Sequence, residues 1–265
     1  MNDRLTYKCR YGDISYEWHG PEEAPVVAFI HGVGMDRRTF LEQAEALKDN
    51  YRVLLWDLPG HGESTLGDYD TRFTRLSADC LQELLMEHGV GSAVLVGQSL
   101  GSIIAQYFLL RHPGLAKASV HVPGVELKSH AGRWARPFVP LMTGLFKLMP
   151  EGMFCRSFGR HRAVRKEVQR YLSETMANTG MSLAMKITRD MMYDLIDQSP
   201  APAKRPLLIT CGRKDLFFIR RGCRGWHRRT AGSRYAEIDH ANHIANQDNP
   251  ARFNQVLRGF LEEIG

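Results

Sequence analysis

Apolar and polar positions change rhythm twice along this chain. Near the start they alternate, with Leu5, Tyr7 and Cys9, then Ile14, Tyr16 and Trp18, on either side of Tyr11-Gly12-Asp13. Alternation broken by a glycine-containing turn predicts a β-hairpin. Beyond it come short runs that are apolar throughout, at 26–30, 53–56, 93–96, 118–122 and 207–211. Such runs suit strands covered on both faces, hence a parallel sheet. Between them lie segments of helical periodicity, 39–47, 76–88, 100–111 and 253–264. Strand and helix in repetition predict an α/β fold, a mostly parallel doubly wound sheet preceded by an antiparallel hairpin.

The rhythm stops between Gly124 and Ala203, where no strand-like run occurs. Helical stretches at 163–172 and 183–196 are separated there by proline and glycine, and Pro200 and Pro202 mark a linker back to the sheet. We therefore expect one domain over 1–265, with a core of 1–123 and 204–265 and a helical insertion at 124–203.

Composition alters this picture little. With 43% apolar and 24% charged residues in 265, the chain has the make-up of a soluble globular protein. No stretch approaches a membrane span, and the start of the chain lacks the apolar core of a secretory signal. The five cysteines are odd in number and have no metal-ligand spacing, so they read as thiols of a reducing compartment and we expect a cytoplasmic protein. The net charge of +6 is not interleaved with aromatic residues in a nucleic-acid-binding motif, and no nucleic-acid partner is expected.

Candidate chemistry sits where strands end. Gly97-Gln98-Ser99-Leu100-Gly101 lies between a strand and a helix, the context in which a serine is pushed outward above free helix N-terminal amides. His31-Gly32-Val33-Gly34 leaves another strand, and the Val33 and Leu100 amides are candidate donors to an oxyanion. Leu207–Cys211 runs into Gly212-Arg213-Lys214-Asp215, placing a carboxylate on the same rim, with Glu126 and Asp239 as fallback acids. Of eleven histidines, His240 and His243 follow the last strand and reach that rim. Serine, imidazole and carboxylate so arranged suit nucleophilic acyl transfer.

Taken with Asp57-Leu58-Pro59-Gly60-His61-Gly62-Glu63-Ser64 and Pro250, these motifs resemble the α/β-hydrolase superfamily, in its serine-nucleophile branch with a helical cap. The resemblance covers most of the chain outside the insertion. It implies Ser99 as nucleophile, Asp215 as the acid, His243 rather than His240 as the base, Val33 and Leu100 as the oxyanion hole, and the insertion as a cap. It also implies that the Asp57–Ser64 stretch shapes a loop and is not catalytic. Ser99 excludes the dehalogenase and epoxide-hydrolase branches, which use aspartate there. Two departures are Asn242, where glycine is usual before the histidine, and Ser102, where a second glycine is common.

The activity so implied is hydrolysis of a carboxylic ester or thioester through an acyl-enzyme, with no metal, nucleotide or organic cofactor. Carbon–carbon bond hydrolysis, perhydrolysis, acyl transfer to an alcohol, and a non-enzymatic receptor of the same fold stay open. Eight of eleven methionines lie in the insertion, suiting either an adaptable acyl pocket or plain packing. The insertion also holds twelve Lys and Arg against seven Asp and Glu, and Arg220, Arg221, Arg224, Arg228 and Arg229 follow the acid. These cations suit an anionic substrate, an anionic lipid surface met by the cap, or a solvated helix face.

Overall fold

A computed structural model of the chain describes residues 4–127, 133–197 and 205–265. The hairpin is β1 (Leu5–Cys9) and β2 (Gly12–His19), followed by β3 (Val26–Ile30), α1 (Leu41–Leu47), β4 (Arg52–Trp56), α2 (Phe73–Glu87), β5 (Ala93–Gln98), α3 (Leu100–Arg111) and β6 (Ala116–Val122). Four helices come next, α4 (Val139–Leu145), α5 (Glu151–Arg162), α6 (Lys166–Thr179) and α7 (Met181–Asp197). The chain then closes through β7 (Leu207–Gly212), α8 (Phe217–Arg229), β8 (Arg234–Ile238), α9 (Ala245–Asp248) and α10 (Pro250–Ile264).

The eight strands form one sheet in the order β1-β2-β4-β3-β5-β6-β7-β8. Pairing is antiparallel from β1 to β4 and parallel from β4 onward. Every residue of β3, β5 and β7 is buried, which is why these segments carry no polar alternation. One face packs under α2 and α3 through Phe73, Leu76, Ile104 and Phe108, the other under α1 and α10 through Leu47, Phe253, Leu257 and Phe260. The doubly wound sheet with an antiparallel hairpin is thus the observed architecture.

Several helices depart from their sequence expectation for identifiable reasons. Helix α2 begins at Phe73 because α7 caps it: Asp190 accepts the Phe73 amide at 3.3 Å and Asp194 accepts the Thr74 hydroxyl. The first turn of the expected helix at 39–47 belongs to a 3-10 turn over Arg37–Phe40 that Asp36 caps, accepting the Arg38 amide at 3.0 Å. In the apolar stretch before Met149, Pro137 lies inside a 3-10 turn over Arg133–Phe138, Pro140 sits in the first turn of α4, and a second 3-10 turn over Phe146–Leu148 follows. Helices α5 and α8 carry no sequence expectation, because arginine and glycine outnumber their apolar residues; in α8 a narrow stripe of Ile219, Cys223 and Trp226 faces the sheet, and only Cys223 and Trp226 are buried. The expected linker at 198–203 lies outside the described residues. No described helix is long and apolar enough to cross a membrane.

The insertion is fastened to the sheet's rim by polar contacts. Arg72 reaches Asp194 at 2.8 Å and Asp197 at 2.5 Å, and the Tyr171 hydroxyl donates to the Asp36 carbonyl at 3.2 Å. Phe154, Phe158, Leu172, Met176 and Ile187 join the same apolar cluster as the sheet. Most insertion methionines pack in this way: Met176 and Met185 are buried, and Met149 and Met181 lie against the cluster.

The Asp57–Ser64 loop is a brace. Buried Asp57 accepts the Arg37 amide at 2.7 Å and the Glu63 amide at 3.0 Å, and pairs with the Arg37 guanidinium. Arg37 also holds Glu17 at 2.8 Å and Glu63 at 2.7 Å, tying β2 to the loop. Gly62 takes a φ of +54° and a Cβ there would sit 2.3 Å from the Asp57 carboxylate, so the loop closes tightly on the acid. Removing one partner of a buried ion pair strands the other. Asp57→Ala should therefore lower unfolding free energy by about 3–5 kcal/mol, read from urea denaturation, and a loss below about 1 kcal/mol contradicts the brace.

Candidate active site

Four strand-to-helix loops meet at the carboxyl rim of the sheet, after β3, β5, β7 and β8. The turn after β5 is the tightest. Ser99 adopts φ 53° and ψ −110°, a strained backbone for a residue with a Cβ. Its amide donates to the Val122 carbonyl at 2.9 Å, and its carbonyl accepts the Ser102 amide at 2.9 Å. The flanking glycines leave no choice. A Cβ at Gly97 would lie 2.3 Å from the Gly101 carbonyl oxygen, and one at Gly101 would lie 1.9 Å from that of Ile30. Helix α3 thus passes against the end of β3 with only hydrogens between, and the serine projects from the bend.

Three side chains named from the sequence converge there. His243 Nε2 lies 3.1 Å from Ser99 Oγ, and His243 Nδ1 lies 3.1 Å from Asp215 Oδ2. Asp215 is buried, and its other oxygen accepts the Leu216 amide at 2.7 Å. A carboxylate on Nδ1 fixes the imidazole with its proton there and the Nε2 lone pair toward the serine hydroxyl. His240, the other rim histidine, is exposed with φ 57°. The fallback acids are engaged elsewhere: Glu126 pairs with Arg229 at 2.5 Å and Asp239 with Arg213 at 2.8 Å.

The loop after β3 is held by its histidine. His31 is buried, accepts the Leu58 amide on Nε2 at 2.9 Å, and meets the Gly32 carbonyl with Nδ1 at 2.8 Å. Burial pushes its pKa down, so it stays neutral and links this loop to the Asp57 brace. Among the described residues, no turn, loop or side-chain acceptor takes the Val33 or Leu100 amide.

Both departures from the familiar motifs have partners here. The Asn242 side chain accepts the His243 amide at 2.9 Å and donates to the His161 carbonyl at 3.0 Å. Ser102 Oγ lies 2.9 Å from Nδ1 of His121, which is fully buried and whose pKa burial pushes down to about 3. Asp248 then binds the histidine loop to the insertion, accepting the Asn242 amide at 2.8 Å, the Val164 amide at 2.8 Å and the Arg165 amide at 3.1 Å.

A cavity of about 580 Å³ opens over Ser99 and His243. Ile103, Met191, Leu195, Phe218 and Ile219 give it apolar walls, and Arg162 is its one basic side chain besides the histidines. Sequence reasoning missed Arg162, because nothing in the basic run around it distinguishes it from Arg156 or Arg160. The arginines flagged on α8 lie elsewhere. Arg220, Arg221, Arg224 and Arg228 surround a separate recess with Phe217, and Glu237 pairs with Arg224 at 2.6 Å and with Arg220 at 3.6 Å. Among the described residues no cluster of His, Cys, Asp and Glu is arranged to hold a metal.

Comparison with known proteins gives a consistent picture. A family model described as the alpha/beta hydrolase fold matches residues 25–250. The chain is 33% identical over 254 residues to an (E)-2-((N-methylformamido)methylene)succinate hydrolase of Acinetobacter baylyi, covering 91% of each chain. It is 25% identical over 254 residues to a pimeloyl-acyl-carrier-protein methyl ester esterase of Vibrio cholerae, covering 92% of this chain and 96% of the relative. Among solved structures, a thermophilic esterase of Thermogutta terrifontis superposes with a TM-score of 0.81 at 19% identity, over 99% of each chain, a likeness of fold.

The Asp248 contacts predict that the histidine loop and the insertion lose stability together. Asp248→Ala leaves three amides without acceptors and should cost about 3 kcal/mol in chemical denaturation, the size expected for stranded buried donors. Faster hydrogen exchange at both Asn242 and Val164 should accompany it, and exchange unchanged at either amide contradicts the coupling.

Proposed function

The chain belongs to the α/β-hydrolase fold family, and from that premise we propose that it is a serine hydrolase cleaving a carboxylic ester or thioester. The observation that carries this reading is the hydrogen-bonded line from Ser99 Oγ through His243 to buried Asp215, with 3.1 Å at each step, at the floor of an apolar cavity. A methyl ester esterase among its relatives supports the same substrate class.

In the proposed reaction His243 Nε2 takes the Ser99 proton as Oγ attacks the carbonyl carbon. Negative charge collects on the carbonyl oxygen, where the Val33 and Leu100 amides donate to it, and Leu100 begins helix α3, so the helix N-terminus adds its favourable field. Asp215 stabilises the imidazolium that forms. His243 returns the proton to the departing alkoxide or thiolate, leaving Ser99 acylated. Water then enters, gives its proton to Nε2 and attacks the acyl carbon, and collapse releases the acid and restores Ser99. His31 serves by position alone, holding the β3 loop so that the Val33 amide stays in place. We take residues 124–203 as a cap on a core of 1–123 and 204–265, on the ground that Arg162, Met191 and Leu195 wall the cavity from the insertion.

Ser99→Ala should lower nitrophenyl acetate turnover by about 10,000-fold or more, as expected when one member of a triad is removed, while the melting temperature holds. His243→Ala should lose nearly as much. Wild type should be labelled by a fluorophosphonate and then lose activity. Turnover of Ser99→Ala at the wild-type rate ends the assignment, and labelling with a single turnover of ester points to a receptor.

A further inference from the structure

The cavity over Ser99 is apolar apart from its floor, His161 and one guanidinium. Arg162 closes helix α5, its carbonyl accepting the Ile244 amide at 3.2 Å, so the backbone beside the cavity is pinned to the histidine loop. Its guanidinium lies 4.0 Å from the centre of the Phe158 ring. No described carboxylate stands within ion-pair distance of it. Asp215 is the acid that acts on its charge, and that carboxylate is already committed to His243 Nδ1 and the Leu216 amide.

This isolation sets Arg162 apart. Among the described arginines that are partly buried, Arg37, Arg72, Arg165 and Arg220 each pair with a carboxylate, and only Arg52 and Arg162 do not. Arg52 lies over the Trp18 ring and lines neither recess described above. Burial pulls the Arg162 pKa down to about 10, with Asp215 opposing, so the group is charged at neutral pH and poorly solvated. A cation in that state is costly unless an anion meets it.

We propose, on the serine-hydrolase reading above, that Arg162 binds a carboxylate of the substrate, and that the substrate is an ester bearing a free carboxylate, such as a half-ester of a dicarboxylic acid. The guanidinium offers a planar fork of donors and no acceptor, which matches a carboxylate's two oxygens. A phosphate dianion fits less well, because one guanidinium among apolar walls leaves its second charge unmet. With the carboxylate on Arg162 and the scissile carbonyl at Ser99, the methylenes between them occupy the cavity that Ile103, Met191 and Leu195 help to line. The cavity, about 580 Å³, suits a small diacid derivative.

Monomethyl glutarate and the neutral ester methyl valerate, compared as substrates, test the assignment. Wild type should show the higher kcat/KM for the half-ester. Arg162→Gln should lower the half-ester to neutral-ester ratio of kcat/KM by about 10- to 100-fold, the size of a lost charge-assisted bond, mostly through KM. Arg162→Lys should recover part of that ratio. An unchanged ratio, with both esters slowed alike, overturns the proposal and makes Arg162 a support for Asp215. Should Arg162→Gln fail to fold, glutarate inhibition of wild-type methyl valerate turnover decides: competitive inhibition supports the assignment and none overturns it. Calorimetric titration of glutarate into Ser99→Ala separates this proposal from the one beneath it. Binding there that Ser99→Ala/Arg162→Gln lacks supports the carboxylate site even if the nucleophile assignment falls. Absent binding, alongside Ser99-dependent turnover of neutral esters, sinks the carboxylate site alone.

Discussion

Helix α3 crosses the end of β3 with the Gly101 backbone against the Ile30 carbonyl, too close for any side chain. From that contact the rest of the rim follows. Because α3 must start there, the chain leaving β5 has one residue in which to reverse, and Ser99 takes the strained φ that the reversal demands. The strain is held by the Ser99 amide on Val122 and by β5 in the centre of a buried parallel sheet. A residue so fixed gives its hydroxyl one direction, and the loops of β7 and β8 are built to meet it. The same crossing sets Leu100 at the first turn of α3, beside the glycine loop from β3.

The histidine loop is held from two sides. Gly212, at the end of β7, lets the Asn242 carbonyl approach within 2.0 Å of where a Cβ would stand, so the acid-bearing and histidine-bearing loops are in backbone contact. On the other side, Asp248 gathers amides from both the loop and the insertion, and Asn242 adds a bond to the His161 carbonyl. The insertion is therefore part of what positions the imidazole. Asn242 in place of glycine belongs to this arrangement: a glycine would free the backbone but remove both side-chain bonds.

Much of this was legible in the sequence because it depends on backbone rules. Residues 26–30 fall where the apolar run places them, since β3 is buried throughout. Ser99 and Asp215 could be named because each follows a strand of one parallel sheet, whose strand ends share a rim; the same rule brings both His240 and His243 there, and the family resemblance chooses between them. What stayed hidden depends on tertiary partners. Helix α2 starts early because Asp190 and Asp194 of a distant helix cap it. Helix α8 is missed because its apolar stripe, Ile219, Cys223 and Trp226, is narrow and sits among arginines and glycines. Arg162 is one basic residue among several in α5, and only folding turns it toward the cavity while Arg156 and Arg160 face solvent.

That last contrast bears on what the chain's positive charge does. Counting cations in sequence points to α8, yet three of its arginines pair with Glu237 or Glu126, and its remaining ones face water, where a charge acts weakly. The influence of a charge depends on its surroundings more than on the number of its neighbours. One guanidinium beside an apolar cavity meets less screening, so it acts more strongly on an incoming anion than several at the surface. Selectivity toward charge in this protein is thus expected from a single partly buried group, and the +6 of the whole chain is a poor guide to it.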